Sequence, residues 1–178
     1  DFQQKTLIIA DRGYESYNLL AYLIEKSHTD FLIRIKQNHS AMREVARLPM
    51  FELDCDIAFT ITTTQTNDDK KNRYVFLQVP KKSKPGAKTR RGRWDFQSPY
   101  TMKLRIVRFQ LSTGEFETIA TSLPRSFTPQ DIKELYRWRW KIEESHKAGK
   151  YSIGLVNLHG KSDEFVQQEI YAALTMFN

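Results

Sequence analysis

TLIIADRGYESYNLLAYLIEKSHTDFLIRIK, residues 6–36, is the stretch that decides the fold class. It opens on a short apolar run, TLIIA, of the kind a buried strand shows, and that run stops at the turn signal Asp11-Arg12-Gly13. Tyr17, Leu20, Tyr22, Leu23 and Ile24 then recur at helical spacing, with Ser16 placed as an N-cap. DFLIRIK follows as a second strand, Phe31, Ile33 and Ile35 alternating against Leu32 and Arg34. Strand, helix and strand within about 30 residues make a βαβ unit, so the two strands are expected to be parallel with a right-handed crossover. The expected class is α/β.

Outward from this unit the texture changes twice. Between about residues 50 and 123, IAFTITTT, RYVFLQV, MKLRIVRFQL and FETIATSL are rich in β-branched and aromatic residues. STGE between the last two is a hairpin signal, and several antiparallel strands are expected here. Residues 81 to 93, KKSKPGAKTRRGR, interrupt them with seven Lys and Arg and no acid, and read as a loop. The last zone is helical. Thr128-Pro129 with Asp131 supplies an N-cap, a proline at the first helical position and an acid in the first turn. The helix they start continues through DIKELYRWRWKIEESHKAGK, and SDEFVQQEIYAALTMF reads as a second one.

Composition narrows the partners. The chain of 178 residues is 40% hydrophobic, ample for a core, which excludes disorder as a description of the whole. Its 28 Lys and Arg exceed 21 Asp and Glu by seven, a bias towards polyanionic partners. The single cysteine, Cys55, excludes an internal disulfide framework and a multi-thiolate zinc site. No apolar run approaches the ~20 residues of a membrane span, and the opening DFQQK does not read as a signal peptide, so a soluble intracellular chain is expected.

YRWRWKIEESHKAGK, residues 136–150, carries the chemistry. At about 100° per residue from Tyr136, Arg139 falls near −60°, Glu143 near −20° and Lys150 near −40°. A phenol, a guanidinium, a carboxylate and an amine thus share one arc, beside an apolar stripe of Leu135, Trp138 and Ile142. Solvated helix faces also carry such residues, and Arg139 with Glu143 is in its plainest form an i,i+4 ion pair worth ~0.3–0.5 kcal/mol. Spacing alone leaves both readings open. If Gly149 ends the helix, Lys150 leaves the arc. Trp138 and Trp140 read as core and rim.

Tyr136, Arg139 after two intervening residues, Glu143 after three more and Lys150 after six more match the Y-(2)-R-(3)-E-(6)-K pattern. This resembles the signature of the DDE transposases of the bacterial insertion-sequence-four group. LIIADRGYES with the following helix and DFLIRIK is similar to the segment carrying that family's second catalytic Asp, here Asp11. IATSLP resembles its TNLP-like strand, with Ser122 where Asn is commoner. The likeness covers about residues 5 to 37 and 118 to 155.

The resemblance implies a ribonuclease H-like mixed sheet with flanking helices: a core from residues 1–45 and 118–178, interrupted by a β-rich insertion over 46–117. It implies DNA cleavage at transposon ends and transfer of 3′ ends to target DNA with two Mg²⁺ (or Mn²⁺) ions, Asp11 and Glu143 serving as catalytic metal ligands. Hard divalent cations call for such carboxylate oxygens. Tyr136, Arg139 and Lys150 would hold DNA phosphates, and Lys88, Arg90, Arg91 and Arg93 of the basic loop would meet the backbone. Trp94 would support a flipped base. A homodimer in the synaptic complex and a bacterial cytoplasmic, nucleoid-associated setting are implied too.

The pattern departs from the family at one point. The family's first Asp lies on the first strand of the fold, well upstream of Asp-Arg-Gly, and Asp1 is too near Asp11 to be that ligand. The chain therefore reads as the C-terminal part of a longer transposase, expected to be inactive alone and to bind Mg²⁺ weakly. The alternative reading is a non-catalytic DNA-binding or assembly module derived from a transposase.

Overall fold

The computed structural model describes residues 4–36, 42–78, 94–147 and 159–177. The chain divides into two compact units, Asp1–Lys133 and Glu134–Asn178.

The first unit is built on one six-stranded mixed sheet, ordered β1-β2-β6-β5-β3-β4. Its strands are β1 (Thr6–Ala10), β2 (Thr29–Ile35), β3 (Leu53–Thr62), β4 (Val75–Phe76), β5 (Tyr100–Gln110) and β6 (Phe116–Thr121). β1 and β2 are parallel, joined by α1 (Tyr17–Ile24), as the βαβ pattern predicts. Ser16 does sit at the cap of α1 in an extended conformation, but its side chain makes no capping bond. β6 runs antiparallel to both β2 and β5, and β3 antiparallel to β5. The strands of the β-rich zone thus extend the same sheet as β1 and β2. One pairing differs from the expected antiparallel set: β4 is two residues long and parallel to β3.

Period-two burial explains the core. Phe31, Ile33 and Ile35 of β2, Leu104 and Ile106 of β5 and Ala120 of β6 lie on one face, covered by Leu20 and Leu23 of α1 and Val45 of α2 (Arg43–Ala46). Each such side chain contributes about 1.5–3 kcal/mol on burial. The opposite face is buried as well: Leu32, Val107 and Ile119 are fully enclosed. That is why β2 reads as a nearly continuous apolar run rather than a strict alternation.

The β5–β6 hairpin closes where STGE predicts, with Gly114 at φ +84°. That left-handed position suits glycine, which has no Cβ to clash. α3 (Asn67–Lys71), which hydrophobic patterning did not reveal, is instead held by a capping box in which Thr66 and Asp69 bond reciprocally.

α4 (Pro129–Lys147) begins with the expected cap: Asp131 N donates to Thr128 Oγ1 at 3.2 Å and Thr128 N donates to Asp131 Oδ2 at 2.8 Å. Its first turn is moored to β5, Lys133 Nζ donating to Gln110 O at 3.1 Å and lying over the Phe109 ring. In the second unit α4 continues and α5 (Asp163–Phe177) follows, where His159 N donates to Glu169 Oε2 at 2.8 Å. Phe165, expected on the apolar side of α5, is 62% exposed.

Candidate active site

β1 ends at Ala10, and Asp11 is the first residue beyond it, at the carboxyl end of two parallel strands. Open α/β sheets place ligands at that end. The Asp11 carbonyl accepts from Tyr14 N at 2.9 Å, closing a single 3-10 turn over Arg12–Tyr14. The turn holds the backbone, and the carboxylate remains 40% exposed. Asp11 Oδ1 lies 3.9 Å from Arg34 Nη1, while Arg34 Nε lies 3.1 Å from Glu117 Oε1. Glu117 is buried, and a buried carboxylate costs several kcal/mol unless a cation answers it. Arg34 is thus committed to Glu117 and presents its remaining edge near Asp11.

Neither Arg34 nor Glu117 stands out in the sequence. Each is a charge set among β-formers, and only the register, with Arg34 opposite Ile119 and Glu117 two residues before it, brings them together. Glu15 is the other surprise. A surface ion-pairing role is its plain sequence reading, yet it is buried and accepts from Lys36 N at 2.8 Å and Met42 N at 3.0 Å. Its carboxylate therefore ties the exit of β2 to the entry of α2.

In the second unit, Tyr136, Arg139 and Glu143 share one stripe of α4. The helix is continuous to Lys147, and Arg139 Nη1 pairs with Glu143 Oε1 one turn on. Tyr136 is 1% exposed, and the Arg139 side chain 10%. The Arg139 guanidinium lies over the Tyr136 ring at 5.5 Å and the Trp140 ring at 4.7 Å, both within cation–π range. Glu143 keeps 46% of its side-chain surface exposed.

Of the apolar stripe that the sequence advertises on this helix, Leu135 is partly buried but Trp138 is not. Trp138 and Trp140 are 58% and 46% exposed, rather than core and rim, while Tyr136 and Arg139 are enclosed. Counting apolar residues could not find this, because an Arg packed on two rings buries as well as a Leu does.

Asp11 and Glu143 fall in different units. Among the described residues, no group of three or more His, Cys, Asp or Glu is assembled. Trp94 is partly buried against the main core, its ring 5.5 Å from Phe96, with the neighbouring Asp95 bonded twice to Asn18 of α1. Lys88, Arg90, Arg91, Arg93 and Lys150 lie outside the described residues. Among those described, no helix is long and apolar enough to cross a membrane.

No curated protein matches the chain. A family model for the transposase DDE domain does match, over residues 1–178. The six-stranded mixed sheet with its helices agrees with the ribonuclease H-like fold of such domains. Transposases act on DNA and generally use divalent metal ions, and the match does not favour the non-catalytic alternative. With Asp11 directly after β1 of its β1–α1–β2 unit and the match running over all its residues, this chain belongs to the transposase DDE domain family.

Proposed function

We propose that the chain supplies two of the carboxylates of a DNA-cleaving and strand-transferring centre of the insertion-sequence-four group. The observation that carries this is Asp11 itself: a partly exposed carboxylate at the carboxyl end of parallel strands, backed by a buried Glu117–Arg34 pair. Glu143, spaced from Tyr136 and Arg139 as in the Y-R-E-K signature, is the second.

The donor chemistry fits a hard divalent cation, since both groups are carboxylates with a large exposed fraction. Asp11 and Glu143 would hold Mg²⁺ or Mn²⁺, two ions in the complete centre, which would activate the attacking oxygen and stabilise charge on the departing 3′ oxygen. The chain's own residues do the rest. Arg139, stacked between Tyr136 and Trp140, keeps the Glu143 carboxylate in place; Tyr136, Arg139 and Lys150 bind phosphates of the transposon end. The basic segment with Lys88, Arg90, Arg91 and Arg93 contacts the DNA backbone, and Trp94 supports a displaced base. The division into a core of 1–45 and 118–178 with an inserted 46–117 belongs to the same reading, as do the synaptic homodimer and the nucleoid setting.

Two carboxylates fall short of the family's three, so the purified 178-residue chain is expected not to nick DNA. Magnesium-dependent nicking by it would overturn that expectation of inactivity. Placed within a complete transposase, Asp11→Asn and Glu143→Gln are each expected to lower donor-end cleavage at least ~100-fold with folding unchanged. Cleavage at the unmodified rate by either variant removes that residue from the centre.

A further inference from the structure

The sheet has a second charged end, remote from Asp11. β6 stops at Thr121, opposite Arg105, but β5 runs on from Leu104 back to Tyr100 with β3 as its partner. Beyond Thr121, then, β5 has no strand on its β6 side among the described residues. The notch left there is a cleft of about 650 Å³, walled by the end of α1 and by residues 121–125.

Its ionisable lining is four cations, Lys26, Lys103, Arg105 and Arg125, against two acids, Asp30 and Asp56. Asp30 is paired from outside the cleft by Lys5 Nζ at 3.5 Å, whereas Asp56 takes Arg125 Nη2 at 2.7 Å, so the lining keeps a net excess of two cations. Arg105 is buried and structural. Arg125 is half exposed and fixed in place, since its Nη1 also meets Asp54 Oδ1 at 2.8 Å. Lys103 is exposed on β5, and Lys26 lies over the Tyr22 ring at 4.8 Å at the other wall. Leu23 and Leu104, both buried, line the cleft as well.

From Asp30 to Arg34 on β2 is four residues, so this cleft lies roughly 13 Å along the sheet from the Asp11 end. Cations from three separate elements lining one cleft suit the repeated phosphates of a nucleic-acid backbone. Arg125, held by Asp54 and Asp56, is a pre-organised guanidinium and loses little entropy on binding.

We infer that this notch is a second DNA-backbone contact, in which Lys26, Lys103 and Arg125 engage phosphodiesters away from the reacting end. The inference rests on the proposed DNA-acting function. Its test is the salt dependence of binding of the full chain to a fluorescent duplex, followed by anisotropy, with inorganic phosphate as competitor. In Lys26→Gln/Lys103→Gln the slope of log affinity against log salt should fall by about 1.8, or ~0.9 per lost phosphate contact. Lys103→Glu, at an exposed site that cannot threaten the core, should weaken binding further. Circular dichroism verifies that each variant folds.

A wild-type slope kept by both variants overturns the notch assignment and leaves the DNA reading standing. Absence of salt-dependent binding by the unmodified chain overturns both. If the variants lose only their response to inorganic phosphate, or change only the sedimentation coefficient, the notch holds a small anion or a protein, and the assignment is again overturned.

Discussion

At two places on the sheet a carboxylate meets a guanidinium, Arg34 with Asp11 beside β1 and Arg105 with Asp54 on β5 and β3, and the two handle the pair differently. Arg105 makes five hydrogen bonds: two to the Asp54 carboxylate and three to the carbonyls of Leu123, Pro124 and Phe127. Its side chain is 5% exposed, and every N–H it carries is spoken for. At the Asp11 end, Arg34 is 22% exposed and engages Glu117 closely but Asp11 at 3.9 Å. The first arrangement is saturated and acts as a rivet, joining the start of the segment after β6 to β3. The second leaves a carboxylate loosely held and wet, which is what a cation-binding group needs, since a carboxylate locked in a saturated network would have to break it to bind anything.

The contrast can be broken most decisively at the rivet. Arg105→Ala leaves Asp54 without its buried partner and frees three carbonyls, and should cost about 3–5 kcal/mol of stability. Urea denaturation reads this directly. A loss under ~1 kcal/mol would mean that the network is ornamental and the two pairs are alike.

Arg34→Met should cost less, about 1–3 kcal/mol, because it strands Glu117 but breaks fewer bonds than the five that Arg105 makes. Pairing it with Glu117→Gln should restore part of the loss. If the double variant is no more stable than Arg34→Met, the charge pair is not what holds this end together.

The smallest effect lies in the pH dependence. Hydrogen bonding from Arg105, assisted by the charges of Arg105 and Arg125, holds the Asp54 carboxyl below its usual range despite partial burial. A carboxylate lowered on folding stabilises the native state above its unfolded value, ~3.9, and that contribution vanishes as pH falls through the lower folded value. Stability should therefore decline below about pH 4, and less steeply in Asp54→Asn, as denaturant midpoints at successive pH values would reveal. Asp69 and Asp131 are lowered too, by bonds to Thr66 and Thr128, so the variant keeps a residual slope. An unchanged slope would assign the acid sensitivity elsewhere.

Much of this molecule is legible locally. The βαβ unit, the STGE hairpin and the Thr128–Asp131 cap depend on neighbours within a few residues, where periodicity, turn chemistry and capping act directly. The stripe of Tyr136, Arg139 and Glu143 is legible for the same reason, because a helix's geometry converts spacing into adjacency. What could not be read was which stripe would be buried, and whether Trp138 and Trp140 would be covered. Burial depends on what packs opposite, and amphipathic side chains such as Arg and Tyr satisfy either environment.

The sequence by itself determined the order and type of the main elements, the position of Asp11 at a strand end and the helical phase of Tyr136, Arg139 and Glu143 on α4. Tertiary structure alone decided that the β-rich zone would join the same sheet, that Glu117 and Arg34 would stand behind Asp11, and that β5 would outrun β6 to open a charged notch. Those are matters of register between strands up to about 90 residues apart, as in the bonding of Phe31 with Thr121 and Ser122. Strand pairing is selected by the total burial of both faces, a sum over the whole sheet that no local window contains.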